Sequence, residues 1–516
     1  MTRLPYVTGF AKRDARGSAP KAVGKALRER APRSAHGRFT PEAGRPDAVA
    51  SVEESNAGRL PELIPIRVGR MAAGPFAFLR GSAGLMAYDL MATPVTGIGA
   101  QICGDAHAAN FGLYGDARGK LVMDLNDFDE TLYGPWEWDL KRLAASLVLA
   151  GREAGASEVQ CREAARDAAG AYRRTMRLLA GMPAADAWNA IADEELVSHA
   201  DARDLLGTLE RVVAKARKNT SARFAAKSTE EIAGGGRRFV DAPPVLRRIP
   251  DAEAAAVVAS LADYLHTLPE DRLPLLARYE VQDVAFRVVG TGSVGLRSYV
   301  VLLLDHRGEP LVLQVKEARS SALSPYAEKA GFPAPAVAHE GRRIVRGQRH
   351  MQVVSDSLLG WTTVYEPWPG RSGSGSTVRE QERRGEDELG RGRDEPGRGR
   401  GELGRGRDES GRGGGGEGAG RPYQVRQFRN RKGSVDPAAL AGDQIDDYAR
   451  MTGALLARAH AHSADPRVVA GYCGKGAALD EALADFAVAY ADRTEADHAE
   501  LVAAIKRGRI AAETGV

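Results

Sequence analysis

Between Gly104 and Asp139 the chain carries a dense run of carboxylates, amides and glycines in three phrases, GDAHAANFG, LVMDLNDFDE and GPWEWDLKRLAAS. Apolar residues run from Thr96 to Cys103 ahead of the first phrase and from Lys120 to Leu125 inside the second, so the polar residues fall in turns between strands. The segment therefore reads as strand, loop, strand. Asp105 and Asn110 stand five residues apart with His107 between them, and Asp127 and Asp129 follow the second strand. A carboxylate over a reacting hydroxyl, plus an amide and a second carboxylate holding magnesium, is what phosphoryl transfer to an alcohol requires. On that reading Asp105 is the candidate base and Asn110 and Asp127 are metal ligands, with Asp129 a second-metal or supporting carboxylate. Asp, Asn and Gly are also common turn residues, so the spacing of Asp105 and Asn110 alone would carry little.

A second constellation lies far downstream. A strand-like run, Val284 to Val289, leads into Gly290-Thr-Gly292-Ser-Val-Gly295, and β-rich residues follow from Ser298 to Leu304. After a turn at Asp305 to Glu309, another apolar run, Leu311 to Val315, delivers Lys316. A glycine-rich hairpin lets backbone N–H groups approach phosphates, and a lysine on the next strand neutralises them. The glycines are followed by a strand, not by the helix of a dinucleotide-binding βαβ unit, so that alternative loses its required context.

The phrases GD-A-H-A-A-N, D-F-D and, after Gly134, WEWDL resemble the catalytic segment of the aminoglycoside phosphotransferase and choline kinase branch of the protein-kinase-like superfamily. The intervals Asp105 to Asn110, Asp127 to Gly134 and Gly134 to Asp139 agree together. Over its length the chain is similar to the bacterial DUF2252 family, through FAFLRG, CGDAHAANFG, LNDFDET, VVGTGSVGLRSY, LQVKEARSS, GQRHMQ, YQVRQFRNRKGS and LLARAHAHS. The kinase resemblance implies an α+β, bilobal, protein-kinase-like fold and an ATP- and magnesium-dependent transfer to a hydroxyl acceptor. Gly290, Gly292, Gly295 and Lys316 would then cradle phosphates. In such folds the glycine-rich loop precedes the catalytic loop; here it follows, so the resemblance implies a circular permutation. Glu340 and Glu328 are candidates for the glutamate that would anchor Lys316. Two alternatives stand beside this reading: a catalytically silent nucleotide- or phospho-ligand-binding module, and metal-dependent ester hydrolysis at His107 and the aspartates. No second histidine lies near His107 to support the latter.

Composition bounds the rest. With 516 residues and 43% hydrophobic content the chain can bury a large core. A formal charge of +4 implies no obligate nucleic-acid partner, and three separated cysteines support neither a disulfide framework nor structural zinc. No secretory leader pattern is seen and no apolar run approaches the ~20 residues that span a bilayer, so a cytoplasmic protein is expected. Residues 1–50 read as a disordered basic tail, 51–280 as catalytic segment plus helical lobe, and 281–368 as a nucleotide-cradling β-rich lobe. Residues 369–421, with ELGRGRDE repeated, read as a low-complexity insert, and 422–516 as a returning strand and C-terminal helices. Residues 218–248 read as an irregular connection. Asp139 is expected to cap the helix it begins and to hydrogen-bond the loop that carries Asp105, and His460 and His462 to pack. Arg80 sits among aromatics as an ion pair or an anion contact. The cluster Arg426, Arg429, Arg431 and Lys432 could face a phosphate or solvent equally.

Overall fold

Residues 298–304 and 311–315 are apolar almost without interruption, as strands covered on both faces must be. In the computed structural model, which describes residues 20–192, 203–233, 236–288, 292–333, 337–365 and 420–515, they occupy the middle of a six-stranded antiparallel sheet. From one edge to the other its strands are Gly360–Tyr365, Gly420–Gln427, Pro310–Glu317, Ser298–Asp305, Tyr279–Arg287 and Leu246–Arg248. Side chains alternate along a strand. Tyr299, Val301 and Leu303 accordingly pack with Val257 and Tyr264 of the Asp251–Leu265 helix, while Val300, Leu302 and Leu304 pack with Phe239 and Phe428 on the opposite face.

The turn between the two central strands closes because the Asp305 carboxylate accepts from the Arg307 and Glu309 N–H groups and Gly308 takes φ 80°. The edge strand Gly360–Tyr365 pairs with Gly420–Gln427 so that Tyr365 lies opposite Gly420. Most of the 369–421 segment, residues 1–19 and Gly290 lie outside the described residues.

The other half of the molecule is helical. Helices Trp136–Glu153 and Glu158–Gly181 pack against Gly442–Ala461 and Ala478–Lys506, drawn from the far end of the chain. Small residues set the spacing. Gly453 lies so close to the Ala168 backbone that a Cβ would collide with it, and Ala164, Ala165 and Ala168 are buried in the same core. Trp136 stacks on Tyr172 with centroids 5.3 Å apart. Sheet and helix together place the chain in the α+β class.

The expectations for two stretches need correction. Residues 20–50 are not a solvated tail: Pro20–Arg30 packs on Pro466–Cys473, where Arg28 and Arg33 donate to the Tyr472 and Cys473 carbonyls. Their arginines cap the open carbonyls of a helix C-terminus, which a count of charges reads as solvation. Residues 218–248 contain the Ser221–Ser228 helix, a small hairpin of Thr229–Glu231 with Arg237–Phe239, and the Leu246–Arg248 sheet edge. These strands are too short to show a period in the sequence. The helical stretch from Gly58 to Met91 is divided at its prolines and glycines into Ile64–Met71, Pro75–Gly81 and Ala83–Met91.

Candidate functional site

The polar segment begins at the end of strand Gly99–Ile102, which pairs with Leu132–Pro135. Gly104 turns the chain at φ 79°, with no room for a Cβ against the Glu130 carbonyl. The helix behind it starts at Trp136, so Asp139 sits inside the first turn and caps nothing of its own helix. Its carboxylate does hold the loop, as expected, accepting from the Cys103 and Gly104 N–H groups at 2.6 and 2.8 Å, and His460 Nε2 lies 3.1 Å from it. His460 Nδ1 in turn meets the Tyr172 hydroxyl at 2.9 Å. The loop thus hangs from a buried, fully bonded carboxylate.

Asn110 is a clip between the two polar turns. Its Nδ2 donates to the Asp105 and Asp127 carbonyls at 2.9 Å each, and its Oδ1 accepts the Asp127 N–H at 2.8 Å. Its amide is engaged within the protein, so as a metal ligand it would have only the second lone pair of Oδ1 to offer. Strands Phe111–Gly115 and Leu121–Leu125 pair directly behind it.

Asp105 faces the cleft with about a quarter of its side chain exposed. Arg142, one turn beyond Asp139 on the same helix, donates from Nε to Asp105 Oδ1 at 2.6 Å and from Nη2 to the Leu79 carbonyl at 2.9 Å. His107 Nε2 lies 3.7 Å from Asp105 Oδ2, its ring edge-on to Phe76. Burial, joined by Arg80 and Arg142 against the pull of Asp105, pushes the His107 pKa down to about 4, so the imidazole is neutral at pH 7.

The second pair meets Lys316 from the large sheet. Lys316 Nζ, on a side chain 4% exposed, lies 2.5 Å from Asp129 Oδ2 and 3.4 Å from Asp127 Oδ1. Burial alone would raise the Asp127 carboxyl pKa, but Lys316, Arg426 and Lys432 outweigh it and hold it well below the usual range. Burial and then repulsion from Asp127 push Asp129 the other way. For Lys316, burial lowers the pKa and the two carboxylates more than reverse it. Asp127 remains half exposed, and Asp129 Oδ1 is buried with no partner.

The glycine-rich turn closes the other wall. Gly295 takes φ 87° beneath the Arg59 side chain, Gly292 lies against the Arg80 carbonyl, and Ser293 Oγ donates to Asp129 Oδ2 at 3.2 Å. The cleft encloses about 690 Å³ between Asp105, Asn110, Asp127, Asp129, Gly292 and Ser293. Asp105, Asn110, Asp127, Asp129 and Lys316 are thus brought together. Neither suggested glutamate holds Lys316: Glu340 pairs with Arg343 at 2.5 Å and accepts from Ser320, and the carboxylates on Lys316 are aspartates.

Among the described residues no group of three or more His, Cys, Asp or Glu side chains is arranged to hold a metal ion. Magnesium, however, characteristically uses one or two carboxylates and completes its shell with water and phosphate. The open Asp127 and the unpartnered Asp129 oxygen fit that requirement.

Two supporting residues were not anticipated. Arg142 lies in the helical lobe, where the sequence singles out no functional residue, although its three-residue step from Asp139 places both on one face. Arg343 donates to the Asp129, Thr131 and Arg319 carbonyls and so pins the aspartate turn; nothing in the sequence around it signals this. Of the basic cluster, Arg426 and Lys432 line the cleft, whereas Arg429 bonds Asn219 and Arg431 takes φ 50° at a turn.

Among the described residues no helix is long and apolar enough to cross a membrane. No curated protein and no solved structure matches the chain. The family model described as "Uncharacterized protein conserved in bacteria (DUF2252)" matches residues 59–381 and 413–504. That span covers most of the chain, which therefore belongs to the DUF2252 family.

Proposed function

We propose that this protein is a nucleotide-dependent phosphotransferase of kinase-like, circularly permuted architecture. The observation that carries this reading is the meeting of Lys316 with Asp127, 189 residues away in the sequence, and with Asp129 beside it. In kinase-type sites a glycine-rich loop covers the phosphates and a lysine on the third strand neutralises them. Here the glycine-rich turn joins Tyr279–Arg287 to Ser298–Asp305, and Lys316 lies on the strand after these. The helix Glu340–Met351 follows and packs on Gly420–Gln427 and Gly360–Tyr365.

In this mechanism Asp105 accepts or orients the proton of the acceptor hydroxyl, and Arg142 fixes its rotamer. Asp127 and Asp129 would hold magnesium, which supplies charge neutralisation to the nucleotide phosphates when bound. Lys316, Ser293 and the Gly292–Gly295 backbone position those phosphates. Asn110 keeps the base turn and the metal turn in register. Asp105→Ala should lower turnover by roughly 10²- to 10⁴-fold with nucleotide binding intact; unchanged γ-phosphate transfer would remove Asp105 from the mechanism.

One observation favours a second reading, a nucleotide-binding module without turnover: Glu340 is committed to Arg343 and does not anchor Lys316. A magnesium-dependent rise in melting temperature with ATP or GTP, without loss of γ-phosphate to any hydroxyl acceptor, would select it.

A further inference from the structure

The same cleft carries a second group of cations, contributed by residues 51–91 and the exit of the Lys316 strand. Arg59 donates to the Ser55 and Val294 carbonyls at 2.9 and 2.6 Å. Arg67 donates to Asn56 Oδ1 and the Gly81 carbonyl, and Arg319 to the Ala57 carbonyl. All these acceptors are neutral, so the bonds orient the guanidinium groups without cancelling their charge. Arg67 is 1% exposed, yet its Nε has no partner; the Arg80 Nε is likewise buried and unpartnered, above the Phe76 ring. Burial, then Arg319, pushes the Arg59 pKa down to about 10; burial, then Arg59 and Arg319, pushes that of Arg67 to about 9. Burial is the larger cause of both shifts; Glu130, Asp129 and Glu317 offset part of the fall for Arg59, and Glu130 part of that for Arg67. Glu130 faces them and accepts the Ala322 N–H, but no hydrogen bond joins it to any of the four guanidinium groups.

The group lies on the side of the proposed base. Arg80 is near enough to His107 to depress its protonation, and Arg142, the partner of Asp105, is tied to the Leu79 carbonyl next to Arg80. We infer that Arg59, Arg67, Arg80 and Arg319 form the acceptor's recognition site, and that the acceptor carries a phosphate monoester beside the hydroxyl to be phosphorylated. Guanidinium forks match phosphate oxygens in pairs, and a phosphate supplies acceptors for the Arg67 and Arg80 Nε groups that have none. The same field disfavours polyamine and quaternary ammonium acceptors. This inference rests on the phosphotransferase reading for the word acceptor, while the anion site itself does not.

The test is calorimetric titration of inorganic phosphate into the full-chain protein, alone and saturated with the magnesium complex of a non-hydrolysable ATP analogue. Binding is expected in both states. Arg80→Gln and Arg319→Gln, at positions only partly buried, should each weaken it by about tenfold while nucleotide affinity and melting temperature stay unchanged. Phosphate binding with the analogue excluded from the protein would remove the phosphotransferase reading and leave the anion site standing. Displacement of phosphate by the analogue would assign the arginines to the nucleotide and overturn the inference. So would absent binding, indifference to both substitutions, tighter binding of malonate than phosphate, or saturable binding of choline.

Discussion

Two carboxylate clusters in this molecule have the same ingredients and opposite finish. In the first, Arg45 donates to both oxygens of Asp89 and to both oxygens of Asp497, Tyr490 donates to Asp89, and Arg493 bonds Asp497. Side-chain exposure of Arg45, Asp89 and Asp497 is 6% or less, and the network ties Ala83–Met91 to the last long helix. In the second, Lys316 meets Asp127 and Asp129, but Asp127 is half exposed and one oxygen of Asp129 has no partner. A closed network fixes two elements to each other and leaves nothing for a ligand. An unfinished one retains valence, which low dielectric makes strong once a partner arrives. Cationic surroundings alone do not distinguish the two; satisfaction does.

The contrast breaks or sharpens by experiment. Arg45→Met should cost about 3–5 kcal/mol in denaturant unfolding, because it leaves buried Asp89 with no cation and Asp497 with Arg493 alone. If Asp127→Asn costs as much, the second cluster is structural too. Next in size, ATP with magnesium at a hundred times its dissociation constant should stabilise the wild type by about 2.7 kcal/mol. Asp127→Ala should lose that gain and Lys316→Ala most of it. A shift retained in both would separate the nucleotide from this site.

A smaller effect comes from pH. Burial, then Arg426, pushes the Lys432 pKa down to about 7, with Lys316 adding to the fall and Asp127 and Asp356 opposing it. Lys432 is thus cationic below pH 7 and loses its charge above it, so affinity for a phosphate ligand should fall as pH rises through 7, by up to about tenfold per unit. Lys432→Met should flatten the profile. The free protein should gain stability over the range from 7 to about 10.4, where the unfolded chain binds the extra proton. The smallest effect lies at the sheet edge. Because Tyr365 and Gly420 face each other in register, each halving of residues 366–419 should stabilise by only about 0.6 kcal/mol, the change in loop-closure entropy. A larger change in melting temperature would give that segment contacts with the rest of the protein.

The sequence made the two turns and the lysine legible because their chemistry is local: Asp105, Asn110, Asp127 and Asp129 are spaced by one hairpin, and Lys316 ends an apolar strand. The central strands were equally plain from their unbroken apolar runs. What escaped were partners supplied by tertiary structure. Packing is all that the sequence suggests for His460, yet it also bonds the carboxylate from which the Asp105 turn hangs. Arg142 and Arg343 look like any helix-surface arginine until folding turns them inward. The expected glutamate was missing for the reverse reason: Glu340 had the right place on its helix, but Arg343, three residues on, claims it. Residues 20–50 failed because arginine that caps carbonyls and arginine that meets water look the same in a composition.

The helix packing has a consequence in time. Trp136–Glu153 and Glu158–Gly181 bury their apolar faces against Gly442–Ala461 and Ala478–Lys506, and the Asp139 carboxylate waits for His460. Synthesis proceeds at roughly 5–20 residues per second. The segment that bears the candidate base therefore leaves the ribosome well over ten seconds before the helices that cover it, and its core stays open until the last of the chain emerges. A nascent chain stalled before Gly442 would present that half-built surface to chaperones, and release of the final helices, not of the sheet, would mark the moment at which the site becomes rigid.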